Sequence, residues 1–193
     1  MKRRSKLFWL DCETTGTDYK IHDIHELAFL IELDGVVVHE ESFKIRPDNF
    51  DTIELKALEI SGTTVEELEK IDFTIADAVR RLKEVWSIYV DKYDRDDKFI
   101  IAGYYIKFDV DFLRSMFTDK VGDRYGIGSY CFSCLLDVST FVAVAVGKYN
   151  FRFKNHKLET VCEKLKIPLE KAHDSMQDIR ATRALYNMLG ELS

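Results

Sequence analysis

Apolar positions fall in short unbroken or alternating runs at the start of the chain and later recur at helical spacing. Lys6 to Asp11 (KLFWLD) is apolar up to its aspartate, as in a strand buried on both faces. Glu26 to Leu33 (ELAFLIEL) reads as a second strand and Val36 to Ile45 as a third. Asp34-Gly35 between them favours a two-residue hairpin turn, so three antiparallel strands are expected. Ser61-Gly62-Thr63-Thr64 breaks the pattern, and Thr64 with Glu67 has the spacing of a capping box that opens a short helix. Ile75, Ala78, Val79, Leu82, Val85, Trp86 and Tyr89 predict an amphipathic helix over about 74–91. A charged connection, Asp91 to Lys98, leads to a short buried strand, Phe99 to Ala102, ended by Gly103. Phe108, Phe112, Leu113 and Met116 give the next helix one apolar face, and Gly122, Gly126 and Gly128 mark a loop. Leu135 to Val146 is too long for a typical strand and reads as a buried helix. Leu158 to Leu165 and Asp174 to Leu189 read as two more helices, separated by Pro168. The order βββ-α-α-β-α-α-α-α, without repeats or linkers, predicts an α/β fold: a mixed sheet covered by helices, a single domain over residues 1–193.

Composition narrows the class. The 193 residues are 46% hydrophobic and 32% charged with 9 Gly and 2 Pro, which excludes a disordered or collagen-like chain. The longest clean apolar run, Phe141 to Val146, is far short of a membrane span. The basic stretch Met1 to Lys6 is followed only by Leu7 to Leu10 before Asp11, too short for the apolar centre of a secretion signal. The expectation is a cytoplasmic protein with no membrane partner. A net charge of -6 disfavours a protein that coats nucleic acid by bulk positive charge, but suits an enzyme that gathers carboxylates around cations. Cys131 and Cys134 form a lone C-x-x-C. With Cys12 and Cys162 they read as small apolar fillers in a reducing compartment rather than a zinc site. The His22-x-x-His25 pair likewise lacks a third metal ligand.

The chemistry begins at Asp11-Cys12-Glu13. Residues two apart on a strand project to one face, so both carboxylates leave the carboxyl end of the first strand together. Like charges held so close need a cation or a raised pKa, and hard oxygens suit Mg²⁺ or Mn²⁺. D-x-E alone reads better as two solvated charges at a strand end, because so short a motif is common by chance. Thr14-Thr15-Gly16 then offers a tight turn whose backbone N–H groups can approach a sugar or phosphate. Asp109 follows the Phe99 to Ala102 strand. Asp178 sits on the last helix, five residues after His173. Five helical residues turn about 500°, so His173 belongs on the loop before the helix and Asp178 within it. Lys148 to Lys157 (KYNFRFKNHK) interleaves basic and aromatic residues with no acid. Either its rings stack on bases while its cations track phosphates, or the rings turn into the core.

Three segments together resemble the exonuclease motifs of the DEDDh family, which includes the proofreading epsilon subunit of bacterial DNA polymerase III. They are Asp11-Cys12-Glu13-Thr14-Thr15-Gly16, Lys107-Phe108-Asp109-Val110-Asp111-Phe112-Leu113 and His173-Asp174-Ser175-Met176-Gln177-Asp178. Lys157-Leu158-Glu159-Thr160-Val161-Cys162 before Ile167-Pro168-Leu169 resembles the family's approach to its third motif, and the likeness spans about residues 7–189. It implies an RNase H-like fold, a five-stranded mixed sheet flanked by helices, with the fifth strand in Tyr130 to Leu136. It implies Asp11, Glu13, Asp109 and Asp178 as ligands of two divalent ions, Mg²⁺ or Mn²⁺, and His173 as general base. Substrate contacts would fall to Thr14, Thr15, Gly16 and Phe108. The implied activity is 3′–5′ hydrolysis of DNA or RNA to nucleoside 5′-monophosphates, on a single-stranded 3′ end, alone or with a replication or repair partner. An exoribonuclease acting on short oligoribonucleotides, or an inactive nucleic-acid-binding or polymerase-accessory module, are the competing readings; all five filled active-site positions argue against the inactive one. Two departures stand out. Tyr104-Tyr105 replaces the His-Asn common ahead of the second motif, and Ser175 replaces a usual Ala.

Overall fold

A computed structural model describes residues 5–169 and 174–190. The three expected strands form as β1 (Lys6–Thr14), β2 (Ile24–Leu33) and β3 (Val36–Lys44), paired antiparallel. Asp34 and Gly35 both take positive φ, 51° and 85°, as a primed hairpin turn requires. β4 (Phe99–Gly103) runs parallel to β1, and β5 (Cys131–Asp137) runs parallel to β4. The sheet order is β3-β2-β1-β4-β5. β1 and β2, near the middle, are buried along most of their length, whereas edge strand β3 alternates exposed with half-buried.

The helices are α1 (Leu55–Ser61), α2 (Val65–Glu69), α3 (Ile75–Tyr89), α4 (Lys107–Ser115), α5 (Ser139–Tyr149), α6 (Leu158–Leu165) and α7 (Ser175–Gly190). Both bonds of the Thr64–Glu67 capping box are made, and Thr74 with Asp77 makes a second box at the start of α3. α1 is absent from the sequence reading because it buries only Leu58 and so shows no apolar period. The single helix expected over Leu135 to Val146 is corrected: its first three residues finish β5, and α5 starts two residues later. A uniformly apolar run does not distinguish strand from helix by period. Asp137 makes the division, its Oδ1 accepting the N–H of Ser139 at 2.9 Å and that of Tyr105 at 3.1 Å.

Two cores sandwich the sheet. Phe8, Leu10 and Cys12 of β1 face the first, with α3 and α4; Leu7 and Trp9 face the second, with α5, α6 and α7. This alternation sends Asp11 and Glu13 to the side of α7. α7 is clamped there by a partly buried pair: Arg183 Nε donates to Glu32 Oε2 at 2.5 Å, and Trp9 Nε1 donates to the same oxygen at 3.1 Å. Among the described residues, no helix is long and apolar enough to cross a membrane.

Candidate active site

The acids converge at the carboxyl ends of parallel strands β1 and β4, where α/β sheets place ligand sites. Asp109 lies in the first turn of α4, almost fully buried, and its Oδ1 accepts the Cys12 N–H at 2.9 Å. That bond ties α4 to the D-x-E segment between Asp11 and Glu13. Asp178 lies in the first turn of α7, its N–H bonded to the Asp174 carbonyl at 2.9 Å. The four acids act on one another. Burial, then the charges of Asp109, Asp178 and Glu13, raise Asp11 well above the usual carboxylate range. Burial, then Asp178 and Glu26, push Glu13 up to about 8. Burial raises Asp109 against the opposing pull of the hydrogen bond from Cys12.

Hard oxygen donors that repel one another suit divalent cations, which satisfy the charge that forces these groups towards protonation. Every principal influence on Asp11 pushes its pKa upwards, so the donor set fits such ions. Among the described residues, no three Asp, Glu, His or Cys side chains are placed to hold a metal ion as they stand. A bound cation would have to draw these acids together.

Three further acids enter this field: Glu26 and Asp137, which no motif marks, and Asp174, which lies within the third motif without an implied role there. Glu26 faces Glu13 directly across the β1–β2 register and raises both Glu13 and Asp11. Asp174 also raises Glu13, and Asp137 raises Asp109. Only strand register reveals Glu26 and only the packed fold reveals Asp137.

The Thr14-Thr15-Gly16 turn is more closed than its sequence suggests. Thr14 and Thr15 are buried. The Thr15 N–H bonds to the Asp23 carbonyl at 2.9 Å, and the Thr15 hydroxyl accepts the Asp23 N–H at 3.0 Å. The expectation of exposed N–H groups is therefore corrected at Thr15, whose donor is spent inside the fold. Gly16 is needed for space, since a Cβ there would lie 2.4 Å from the His22 ring. His22 is thus a packing residue of this turn. His25 is buried beside Ser61, with burial holding it down to about 4. The two histidines serve different neighbours, and the weak metal reading of His22-x-x-His25 has no support.

Phe108 is half-exposed on α4, its ring 4.9 Å from that of Phe112. His173 lies outside the described residues. In the Lys148 to Lys157 segment, Phe151 and Phe153 pack half-buried against the second core with near-parallel rings, while Lys148, Arg152, Lys154 and Lys157 are exposed. Of the two readings of this segment, the inward-facing rings hold. Cys131 is buried and Cys134 is exposed, three residues apart on β5, so strand geometry separates the C-x-x-C pair.

Tyr104 and Tyr105 follow β4 and border a groove of about 220 Å³ with Lys157, Leu158, Leu169 and Asp178. Tyr105 has a φ of 51°. The Tyr104 hydroxyl donates to the His156 carbonyl at 2.5 Å.

The sequence profile of the RNase T-type exonuclease family matches residues 8–186. A DNA polymerase III of PolC type from Thermotoga petrophila is 25% identical over 177 residues, covering 92% of this chain and 11% of the polymerase. E. coli exonuclease I, solved with bound zinc and single-stranded DNA, superposes with a TM-score of 0.80 at 21% identity, covering 99% of this chain and 41% of the exonuclease. Exonuclease I of Methylocaldum szegediense gives a TM-score of 0.77 at 20% identity over 97% of this chain and 40% of its own. The chain therefore spans about a tenth of the polymerase and two fifths of the exonuclease I chains.

Proposed function

From a chain that belongs to the RNase T-type exonuclease family, built on the RNase H-like sheet, we propose a metal-dependent 3′–5′ exonuclease acting on single-stranded nucleic acid. The observation that carries this reading is the meeting of Asp11, Glu13, Asp109 and Asp178, from three distant segments, in one mutually repelling cluster at the strand ends. The exonuclease I relatives solved with single-stranded DNA support the substrate class. The polymerase relative supports a replication or repair setting. The free cysteines suit a reducing, cytoplasmic location.

Divalent cations held by the four carboxylates would supply charge neutralisation and Lewis acidity at the terminal phosphate. The chain's own groups do the rest. His173 takes a proton from the attacking water, a role that suits an imidazole near neutral pH. The water oxygen bonds to the terminal phosphorus and the bond from that phosphorus to the neighbouring 3′ oxygen breaks; the 3′ oxygen of the shortened strand takes up a proton from solvent to become a hydroxyl, and a nucleoside 5′-monophosphate is released. Phe108 and the Thr14–Gly16 turn, where the Thr15 donor is already spent on Asp23, border the terminal nucleotide.

The test is digestion of 5′-labelled and 3′-labelled single-stranded DNA and RNA oligonucleotides with Mn²⁺ or Mg²⁺. A ladder receding from the 3′ end, with mononucleotide product and no reaction in EDTA, is expected. Internal cutting or 5′ degradation would refute the polarity, and full activity in EDTA would refute the metals. His173→Ala should lose on the order of 10²–10⁴-fold at neutral pH and recover in part at high pH, where hydroxide replaces the base. A pH–rate profile of unchanged shape would remove His173 from that role.

A further inference from the structure

We propose that the groove beside Asp178 is the subsite for the nucleotide immediately upstream of the scissile bond, its base stacked on Tyr105 and its phosphate met by Lys157. The inference rests on the exonuclease reading and adds to it the part of the strand that is gripped but not released.

Tyr105 carries the argument. More than half of it is exposed, yet it is held firmly. Its backbone sits in the left-handed region, φ 51°, which costs a non-glycine residue energy and persists where neighbours over-determine it. Asp137 supplies that constraint by accepting the Tyr105 N–H at 3.1 Å. The Tyr104 ring abuts it edge-on at 5.0 Å between centroids. Both tyrosine hydroxyls reach the His156 carbonyl, at 2.5 and 3.5 Å, so the strand end is stitched to the residue before Lys157. A flat ring locked in place and left open to solvent suits stacking on any base.

The groove's composition agrees. Leu158 and Leu169 line it with the two tyrosines, and Lys157 and Asp178 also border it. Among the described residues, the Lys157 ammonium is in no ion pair. Glu159 borders the groove too, which favours a neutral base inside and the phosphate outside at Lys157.

Position decides which nucleotide it is. Asp178 belongs both to the groove and to the acidic cluster, so the subsite adjoins the reacting phosphate. The groove lies on the side of the second core, with Tyr104, Leu158 and Leu169. Phe108 contacts Phe112, whose own neighbour Tyr19 packs on the first core with it. The terminal nucleotide and the one before it would therefore flank the acids. Arg152 and Lys154, a few residues before Lys157, are also exposed in a chain whose net charge is -6.

Two measurements test this. In the first, an oligonucleotide lacking the base at the second position from its 3′ end is compared with the intact strand, for wild type and Tyr105→Ala. Removing the base should raise the wild-type KM on the order of 10-fold and add little in the variant, because both changes delete the same stacking contact. Equal penalties in both proteins would overturn the subsite. In the second, 2-aminopurine at that position reports stacking by quenching on binding, with Ca²⁺ in place of Mn²⁺. The quench should vanish in Tyr105→Ala and persist in Tyr105→Phe, which also controls for folding. A quench retained in Tyr105→Ala would overturn the assignment even if the enzyme digests DNA or RNA. A Tyr105-dependent quench in a protein that cuts nothing would instead sustain the subsite and refute the nuclease reading.

Discussion

Asp11→Asn will cost turnover on the order of 10³-fold or more while making the cation-free protein harder to melt. The two effects share one cause. Asp11 is raised by its own burial and by the charges of Asp109, Asp178, Glu13 and Glu26. An amide of the same shape removes one charge from that set, relieves the repulsion, and removes a hard anionic donor that a divalent ion needs. For a chain of 193 residues, each kcal/mol relieved shifts the midpoint by about 2–4 °C. Asp178→Asn should abolish digestion similarly, since Asp178 acts on both Asp11 and Glu13. Oligonucleotide digestion with Mn²⁺ and thermal melts in EDTA check both halves. Wild-type rates would refute the ligand assignment, and a lower melting point for Asp11→Asn would refute the repulsion.

The second large effect is a reversal of stability with pH that cations remove. Folded Glu13 is pushed from 4.5 to about 8, and Asp11 and Asp109 shift the same way. A group whose folded pKa is raised contributes stability that is fully present below its unfolded pKa and is lost as pH climbs through the folded one. In EDTA the melting temperature should therefore fall between about pH 4.5 and 8. Asp77, at about 2, acts only in more acidic solution, but His25, held down to about 4, adds stability as pH rises towards 6.5 and offsets part of the fall, so the fall is clearest between about pH 6.5 and 8. Divalent ions bind the ionised carboxylates, so their stabilisation should be larger at pH 8 than at pH 5. At a concentration 100 times the dissociation constant they would add about 2.7 kcal/mol, or roughly 5–10 °C. A melting curve in EDTA that is flat from pH 6.5 to 8, or a cation effect larger at pH 5, would show that the cluster is not strained in this way.

How much could be read beforehand follows the range of each interaction. The D-x-E pair was legible because period two on a strand is a local rule, and both carboxylates do leave β1 on one side. The capping box at Thr64 and the apolar stripe of α3 were legible for the same reason. The joining of that pair with Asp109 and Asp178 was legible only through resemblance to known motifs. Nothing local connects positions nearly a hundred residues apart; the bond from Cys12 to Asp109 that does so exists only in the packed chain.

The chain's own pattern of side chains therefore settled its first three strands, its principal amphipathic helix and the shared side of Asp11 and Glu13 on β1, because strand and helix periods act over a few residues. Packing settled the rest. Register brought Glu26 opposite Glu13, and Asp137 divided one apolar run into β5 and α5 while holding Tyr105 in its unusual backbone conformation. The second core drew the rings of Phe151 and Phe153 inward and left their basic neighbours outside. Each of those outcomes depends on partners distant in the chain, whose meeting is favoured only when the whole sheet closes and excludes water from both of its faces.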